Sequence, residues 1–455
     1  MIAVVALALL LGDPPDPASV LQRAPSAPPE IAAKILVNFG ANAYKVPDRA
    51  KRIELVEEAF RLAAQARQPY PLATAIWPVP PDSEAVRLLE ANQERLDGLG
   101  LQVRAVQAMM ALDPRRALEM ALRMPIPSPP RRTCKDSMIA RVEEYYGLAL
   151  QIAHRGFSTK EKAEGRPLQF LAGIVQASTT PEQIQAAVAM VRTFKGSPED
   201  TAALVTALTS ALTETQPNSR GFIGTPAVGE ELAPLIRGLR AAGRSALPLL
   251  EAYRTYLVTQ WSGEACSDLP EAHGLLIFND TLRKDAGLEK EVPAIDTKNL
   301  KPKRSNDKPA NYVFGEEGES REIFKEMAGL RHPPEKAGPE WESKFTALLH
   351  RIEAWQPEDG VTPLAHFHRK AGAFRDLLPA AISEPLLETL QSAFCTYLRD
   401  APAKTESPAE WMIHFRRMTM PWGPLGAKSV EIAKREIRRG GDGLMNLLVD
   451  AGETF

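Results

Sequence analysis

The chain has three cysteines, and two of them lie in polar surroundings at predicted helix entrances. Cys134 lies in the sequence TCKD and Cys266 in ACSD. In an oxidising compartment such a pair could be bridged. Closing this loop, with a sequence separation of 132 residues, would stabilise the fold by about 5 kcal/mol in the chain-entropy model. We therefore expect a Cys134–Cys266 disulfide with Cys395 as a free thiol at the edge of a packed face; the alternative is three separate thiols.

Seven histidines are present, and their spacing does not predict a metal site. His366 and His368 stand two residues apart, so on a helix their side chains point about 160° away from each other. His350 falls opposite the apolar stripe of its helix, toward solvent, and His414 is interpreted as a packing residue. No H-E-x-x-H or C-x-x-C spacing is present. The sequence therefore predicts neither a metal nor another cofactor.

Motifs for nucleophilic catalysis and phosphate binding are absent as well. The chain has no G-x-S-x-G nucleophile elbow. The stretch GPLGAKS (423–429) only mimics a phosphate loop, because the spacing of its glycines and lysine is wrong. Aspartates and glutamates are plentiful, but the sequence alone singles out no acid or base, so no catalytic residue is assigned.

Composition indicates a globular protein without a polyanionic partner. Apolar residues make up 44% of the chain and charged residues 25%, with a formal net charge of −2, which is ordinary for a globular fold. Two basic runs, at 298–308 and 434–439, are not interleaved with aromatic residues, and the first reads as a solvated linker. Nucleic-acid binding is therefore not expected.

The N-terminal sequence MIAVVALALLLGDPPDP indicates export. Its apolar run is too short to span a membrane, which takes about 20 residues, but it has the length of a signal-peptide core. No basic residue precedes it and no clean cleavage site follows, so a buried N-terminal strand or half-helix is the alternative. We interpret residues 1–18 as signal peptide and leader, with the mature chain starting between residues 12 and 30. The mature chain is then periplasmic or extracellular and has no membrane span.

Helical periodicity runs through the remaining chain. In RIELVEEAFRLAAQA (52–66) and WESKFTALLHRIEAW (341–355), apolar residues recur at the spacing of one helix face. TPEQ (180–183) and SPAE (407–410) read as capping boxes with proline at the first helical position. No alternating run long enough for a sheet is present. The sequence therefore predicts an all-α fold.

Short connections indicate that these helices pair into hairpins. AVQAMMALDPRRALEMALRMP (105–125) reads as a helix, an Asp-Pro turn and a helix. Its first part, Ala105 to Pro114, resembles the second helix and exit of a tetratricopeptide-type hairpin. The resemblance implies stacked helical hairpins, each covering apolar surface of its neighbour. The other half of that repeat pattern and a fixed period are missing, so we expect irregular repeats forming a solenoid or curved bundle.

One charged, proline-bracketed stretch divides the predicted helices. Residues 288–320 are poor in periodicity and are typical of a linker or long surface loop. It separates an N-terminal helical-repeat region, residues 19–287, from a C-terminal helical region, residues 321–455.

Taken together, these patterns predict an exported, non-enzymatic helical-repeat protein. Stacked helical hairpins form extended concave surfaces, so the expected partner is another protein or a peptide segment. The alternative is an exported α/α-fold hydrolase or lyase whose carboxylates come from distant helices. Such a site leaves no local motif, and a deep pocket lined by convergent ionisable groups would favour it.

Overall fold

The structure, a computed structural model, describes residues 16–75, 79, 84–268, 274–296, 298, 300, 303–305, 307, 318–423 and 425–452. Within these ranges most of the chain is helical, and the predicted all-α fold is confirmed. The apolar N-terminal run of the predicted signal peptide lies outside the described residues.

The helices before the predicted linker are numbered in chain order. They are Pro17–Arg23 (α1), Pro29–Gly40 (α2), Arg49–Ala63 (α3), Glu84–Gln93 (α4), Gly98–Leu112 (α5), Pro114–Arg123 (α6), Glu143–Arg155 (α7), Thr159–Ala163 (α8), Arg166–Gln176 (α9), Pro181–Thr193 (α10), Pro198–Glu214 (α11), Ser219–Ile223 (α12), Val228–Ala241 (α13), Leu247–Ser262 (α14) and Arg283–Ala286 (α15). A π-helical turn, Ile277–Leu282, leads directly into α15.

The helices after the predicted linker continue the same numbering. They are Glu319–Gly329 (α16), Pro339–Ala354 (α17), Pro363–Leu377 (α18), Glu384–Asp400 (α19), Ala403–Glu406 (α20), Pro408–Met418 (α21), Gly426–Gly440 (α22) and Gly443–Ala451 (α23). No helix in the part of the chain that the structure describes is both long and apolar enough to cross a membrane.

Strands occur only as short pairs among the described residues. Leu72–Thr74 (β1) pairs antiparallel with Met138–Ala140 (β2). Glu264–Ala265 (β3) pairs in parallel with Lys303–Arg304 (β4), which lies inside the predicted linker. Val292 and Ile295, also inside it, are buried, so part of this segment is packed.

Helix starts follow the sequence signals at one of the two predicted capping boxes. At α10, Thr180 accepts a hydrogen bond from the Gln183 backbone and the Gln183 side chain accepts one in return, as predicted. At α21, Pro408 occupies the first turn, but the side chain of Ser407 makes no capping bond, so the predicted box is wrong. Ser407 directly follows α20, and its N–H donates to Ala403 O instead.

Contacts divide the chain into two compact units. Unit 1 contains the described residues of Met1–Arg67, Glu90–Leu96 and Val313–Phe455, and unit 2 those of Gln68–Leu89 and Asp97–Tyr312. This division differs from the predicted regions, which followed chain order. Periodicity identifies helices, but it does not show which distant helices pack together.

Unit 1 brings the first and the last described helices together. Helix α1 packs against α23, and the guanidinium of Arg23 lies 2.6 Å from the carboxylate of Asp450. Helix α2 packs against α3, α18 against α21, and α19 against α22. Phe374 and Phe394 stack with ring centroids 5.4 Å apart and belong to the buried core of this unit.

Unit 2 is assembled from α5 to α15 with the two strand pairs. Helices α5 and α6 pack as a hairpin around Asp113, whose side chain caps α6 by accepting from the backbone of Arg115 and Arg116. Helix α11 packs against α9 and α14. The core of unit 2 includes the stacked rings of Tyr253 and Tyr256, whose centroids are 5.9 Å apart.

Candidate binding cavity in unit 1

The predicted cysteine pair lies in unit 2, where the structure joins Cys134 and Cys266 in a disulfide. Both residues are buried. The buried guanidinium of Arg220 donates to Cys134 O at 2.7 Å and to the carboxylate of Asp268, also at 2.7 Å. The N–H of Cys266 donates to Ser219 Oγ at 2.9 Å. The disulfide therefore joins the segment before β2 to the residue that follows β3, beside α12.

The remaining thiol, Cys395, and the histidines His350, His366, His368 and His414 belong to unit 1. Cys395 is free and buried, and burial raises its pKa to about 11. His350 is exposed, as predicted, while His366 and His368 are half-buried. Among the described residues, no group of three or more histidine, cysteine or acidic side chains is arranged to hold a metal ion.

The best candidate for a functional site is a cavity of about 1110 Å³ within unit 1. Residues of α18, α19, α20 and α22 line it, together with Trp355 and the end of α17. Thr362 caps α18 by accepting from the Ala365 backbone, and Pro363 starts that helix. The start of α18, one of the wall helices, is therefore fixed by a capping bond.

Aromatic side chains form one wall of the cavity. Phe367 and Tyr397 stack with centroids 5.8 Å apart, and Phe374 lies 5.4 Å from Tyr397. Trp355 meets the ring of His366 edge to face at 5.2 Å. The rings support one another from different helices, so the cavity has a broad apolar surface that is held by packing.

Lys370 is a buried cation in the same wall. Its Nζ donates to Glu353 O and to Trp355 O, each at 2.8 Å, and lies 5.3 Å from the centroid of the Tyr397 ring. Burial lowers the pKa of Lys370, and the charge of Glu353 opposes that shift. The ammonium group thus caps the C-terminal end of α17, where a positive charge is favourable.

His366 borders the cavity as a neutral ring. Burial lowers its pKa below 6.5, and the positive charge of Lys370 lowers it further. At neutral pH this imidazole therefore carries no charge and can act as a hydrogen-bond donor and acceptor.

Charge around the cavity is predominantly negative. Five carboxylates line it: Glu353, Glu388, Asp400, Glu406 and Glu436. The lining has two cationic side chains, Lys370 and Arg439. Glu388 is held by Arg435 at 2.5 Å, and Arg399 lies 2.9 Å from Asp400 and lowers the pKa of that carboxyl.

Sequence reasoning missed the cavity and Lys370. One local signal was available: Lys370 lies three residues after Phe367 and four before Phe374, so it falls on the apolar stripe of α18. A lysine on such a stripe predicts a buried cation with fixed partners. The partners themselves come from α17 and α19 and leave no local pattern.

Comparison with protein-family models, with curated proteins and with solved structures finds no match for this chain.

Proposed function

We propose that this protein is a binding protein whose unit 1 holds a segment of a partner protein in the cavity. The observation that carries the proposal is the volume of about 1110 Å³ beside an aromatic wall. Ligand sites are typically concave, largely apolar and roughly 300–1,000 Å³ in volume. The volume of this cavity, about 1110 Å³, is slightly above that range, which suits several residues of a peptide.

The ion pairs and hydrogen bonds that ionisable side chains of the cavity already make favour binding over catalysis. Carboxylates line the cavity, as the hydrolase or lyase alternative requires, but Glu388 and Asp400 are paired with arginines. A lowered pKa, as at Asp400, is the opposite of what a general acid needs. The ammonium group of Lys370 is directed to two carbonyls and a ring, so it is not available as a nucleophile.

The proposal extends to the arrangement of the helices as irregular hairpin repeats. Two pairs of consecutive helices support it, since α2 packs against α3 and α5 packs against α6. In repeat proteins each hairpin contacts mainly its neighbours and the stack presents a continuous surface. A partner protein could therefore contact more of the chain than the cavity alone.

Export is part of the proposal, and the packing of α1 narrows the expected cleavage site. Val20 is fully buried, and Arg23 pairs with Asp450, so cleavage after these residues would remove packed structure. We expect the mature chain to begin between residues 12 and 16, just before the capping residue Asp16. N-terminal sequencing of protein from the native host checks this, and an intact Met1 would refute export.

The binding proposal is tested by filling the cavity. A phage-displayed library of random dodecapeptides is selected on the purified protein, and the affinities of the enriched peptides are measured by fluorescence anisotropy. Ala393 and Thr396 line the cavity on α19, whereas Ala427 is exposed on α22 and does not. Ala393→Trp and Thr396→Trp should each weaken binding at least tenfold, and Ala427→Trp should leave it unchanged. Peptides that bind all three variants equally well, or turnover of a small substrate, would overturn the proposal.

A further inference from the structure

We propose that the segment held in the cavity carries a lysine or arginine side chain next to its apolar contacts. This inference rests on the proposed binding function and adds the chemistry of the partner segment. The inference follows from three observations. Two carboxylates that line the cavity form no ion pair, the cationic side chains of the cavity wall are directed to other groups, and the buried indole N–H of Trp355 has no acceptor among the described residues.

Two of the lining carboxylates, those of Glu353 and Glu406, form no close ion pair within the described residues. Glu353 lies in the last turn of α17, and Glu406 ends α20. Both side chains line the cavity and belong to exposed residues. The charge of Glu353 acts on nearby Lys370 without an ion pair, and both carboxylates can receive a cation from a ligand.

The cations of the wall do not neutralise these carboxylates. Lys370 directs its ammonium group to the carbonyls of Glu353 and Trp355 and to the ring of Tyr397. Arg439 lies 3.9 Å from the carboxylate of Glu436. The open part of the cavity therefore has surplus negative charge, which attracts a basic side chain.

The position of Glu353 is unfavourable unless a cation is near. The C-terminal end of a helix carries partial negative charge, so an acidic side chain in the last turn destabilises the helix. Lys370 donates to the carbonyls at this end of α17, and the charge of Glu353 acts on it as well, but the two side chains form no ion pair. A basic side chain from the partner would complete the charge balance at this helix end.

Trp355 shows that the ligand also brings a hydrogen-bond acceptor. This residue lines the cavity with only 3% of its surface exposed. Its Nε1–H is buried and has no acceptor among the described residues. A buried donor without an acceptor is destabilising, and a peptide carbonyl would satisfy it. The aromatic wall can then pack against the aliphatic stem of the basic side chain.

The test uses the dodecapeptides selected on the wild-type protein. Enriched sequences should contain lysine or arginine flanked by apolar residues more often than the unselected library. Replacing that basic residue by glutamine in the tightest peptide should weaken binding at least tenfold. Binding should also weaken as the salt concentration rises, since the charges are near the surface. Enrichment of acidic or uncharged peptides would overturn the inference.

Substitutions in the protein test which side chains bind the basic residue of the peptide. Glu353→Gln and Glu406→Gln should each weaken the basic peptide about threefold to tenfold and leave its glutamine analogue unaffected. Glu342→Gln is the matched control, since Glu342 is exposed on the same helix α17 and does not line the cavity. Trp355→Phe, which keeps a ring but lacks the N–H, should weaken the peptide and leave n-butylammonium binding unchanged.

The outcomes separate this inference from the proposed function. If Ala393→Trp abolishes peptide binding but the glutamate variants bind basic and neutral peptides alike, the cavity binds peptides and the charge inference is wrong. If Ala393→Trp has no effect on any peptide, the binding function itself is wrong. Equal affinity for n-butylammonium and for the basic peptide would show that the peptide carbonyl plays no part, and would overturn the assignment of a peptide ligand.

Discussion

His414 and His368 form a hydrogen bond in unit 1, with 3.0 Å between His414 Nε2 and His368 Nδ1. His414 is fully buried and meets the ring of Phe367 edge-on at 5.5 Å. On its other side His368 Nε2 lies 3.9 Å from the carboxylate of Glu90, which also pairs with Arg417 at 2.9 Å. One of the two facing nitrogens must carry the hydrogen and the other must accept it. At least one of the two rings must therefore be neutral to accept this hydrogen bond.

The first prediction concerns acid sensitivity caused by His414. Burial lowers its pKa well below 6.5, and the charges of His368, Arg417 and Arg375 lower it further. As the pH falls, His414 therefore takes up its proton at a higher pH in the unfolded chain than in the folded protein. The contribution of neutral His414 to the free energy of unfolding is complete above about pH 6.5. It decreases as the pH falls from there toward the pKa of His414 in the folded protein. Between about pH 7 and pH 5, we therefore expect this residue to lower the free energy of unfolding progressively.

Urea unfolding at several pH values checks this prediction. His414→Phe should lose about 1 kcal/mol near pH 7, because the hydrogen bond to His368 is gone. It should also lose stability less steeply in acid. The control is His350→Gln, since His350 is exposed, and it should follow the wild-type profile. If His414→Phe has the same pH dependence as the wild type, the acid sensitivity does not come from this pair.

The second prediction is that Lys370 stabilises the cavity wall. In Lys370→Met the carbonyls of Glu353 and Trp355 lose their donors. Leaving a buried acceptor unsatisfied costs about 1–3 kcal/mol, so we expect a loss of about 2 kcal/mol in unfolding free energy. Lys344→Met removes only an exposed pair with Glu340 on α17 and should change stability by less than about 1 kcal/mol. Equal effects of both variants would show that Lys370 is not a structural cap.

The sequence predicted what depends on local pattern. The apolar spacing in 341–355 corresponds to α17, and the TPEQ signal corresponds to the start of α10. It failed at Ser407, where the capping bond depends on the preceding helix α20. Local periodicity reports the buried face of a helix, and it carries no information on which helix covers that face.

The candidate cavity could not be predicted from local sequence patterns, because its side chains come from helices that are distant in the sequence. Lys370 and Tyr397 come from different helices, and His368 and His414 are 46 residues apart. His414 was interpreted as a packing residue, and its burial agrees with that. Its hydrogen bond to His368 requires the crossing of α18 and α21, which no sequence window contains.

The third prediction concerns Asp97, which caps α5 in unit 2. Its carboxylate accepts from the Gly100 N–H at 2.6 Å. Burial raises its pKa to about 6, although the bond from Gly100 opposes the shift. The folded protein therefore holds this proton more tightly than the unfolded chain. The stabilisation is complete below about pH 3.8 and is lost as the pH rises through about 6. We expect a loss of about 2 kcal/mol between about pH 4 and pH 7.

Asp97→Asn removes the charge and keeps an acceptor at the cap. It should be more stable than the wild type near pH 7 and should show a flatter pH profile in urea unfolding. Asp113→Asn is the matched control, because Asp113 also caps a helix, α6, but is partly exposed; it should change stability by less than about 0.5 kcal/mol. A destabilised Asp97→Asn near pH 7 would contradict the prediction.

The fourth prediction concerns the thiol count. Cys134 and Cys266 are joined in the structure, and Cys395 is free but buried with a raised pKa of about 11. Because the thiolate is the reactive form, native protein should react with a thiol reagent only slowly. Protein denatured without reductant should give one thiol, and Cys395→Ser should give none. Finding three thiols in protein from the native host would rule out the bridge.

Removing the bridge should also lower stability in a defined way. The cross-link closes a loop with a sequence separation of 132 residues, which corresponds to about 5 kcal/mol in the chain-entropy model. Cys134→Ser with Cys266→Ser should approach that loss in urea unfolding, and reductant should have no effect on the double variant. Arg220 would keep its bonds to Cys134 O and Asp268, so the local fold around α12 should persist in the double variant. The cross-link acts chiefly by restricting the conformations of the unfolded chain. The lower free energy of unfolding should therefore come from the greater entropy of the unfolded double variant and not from a change in these contacts.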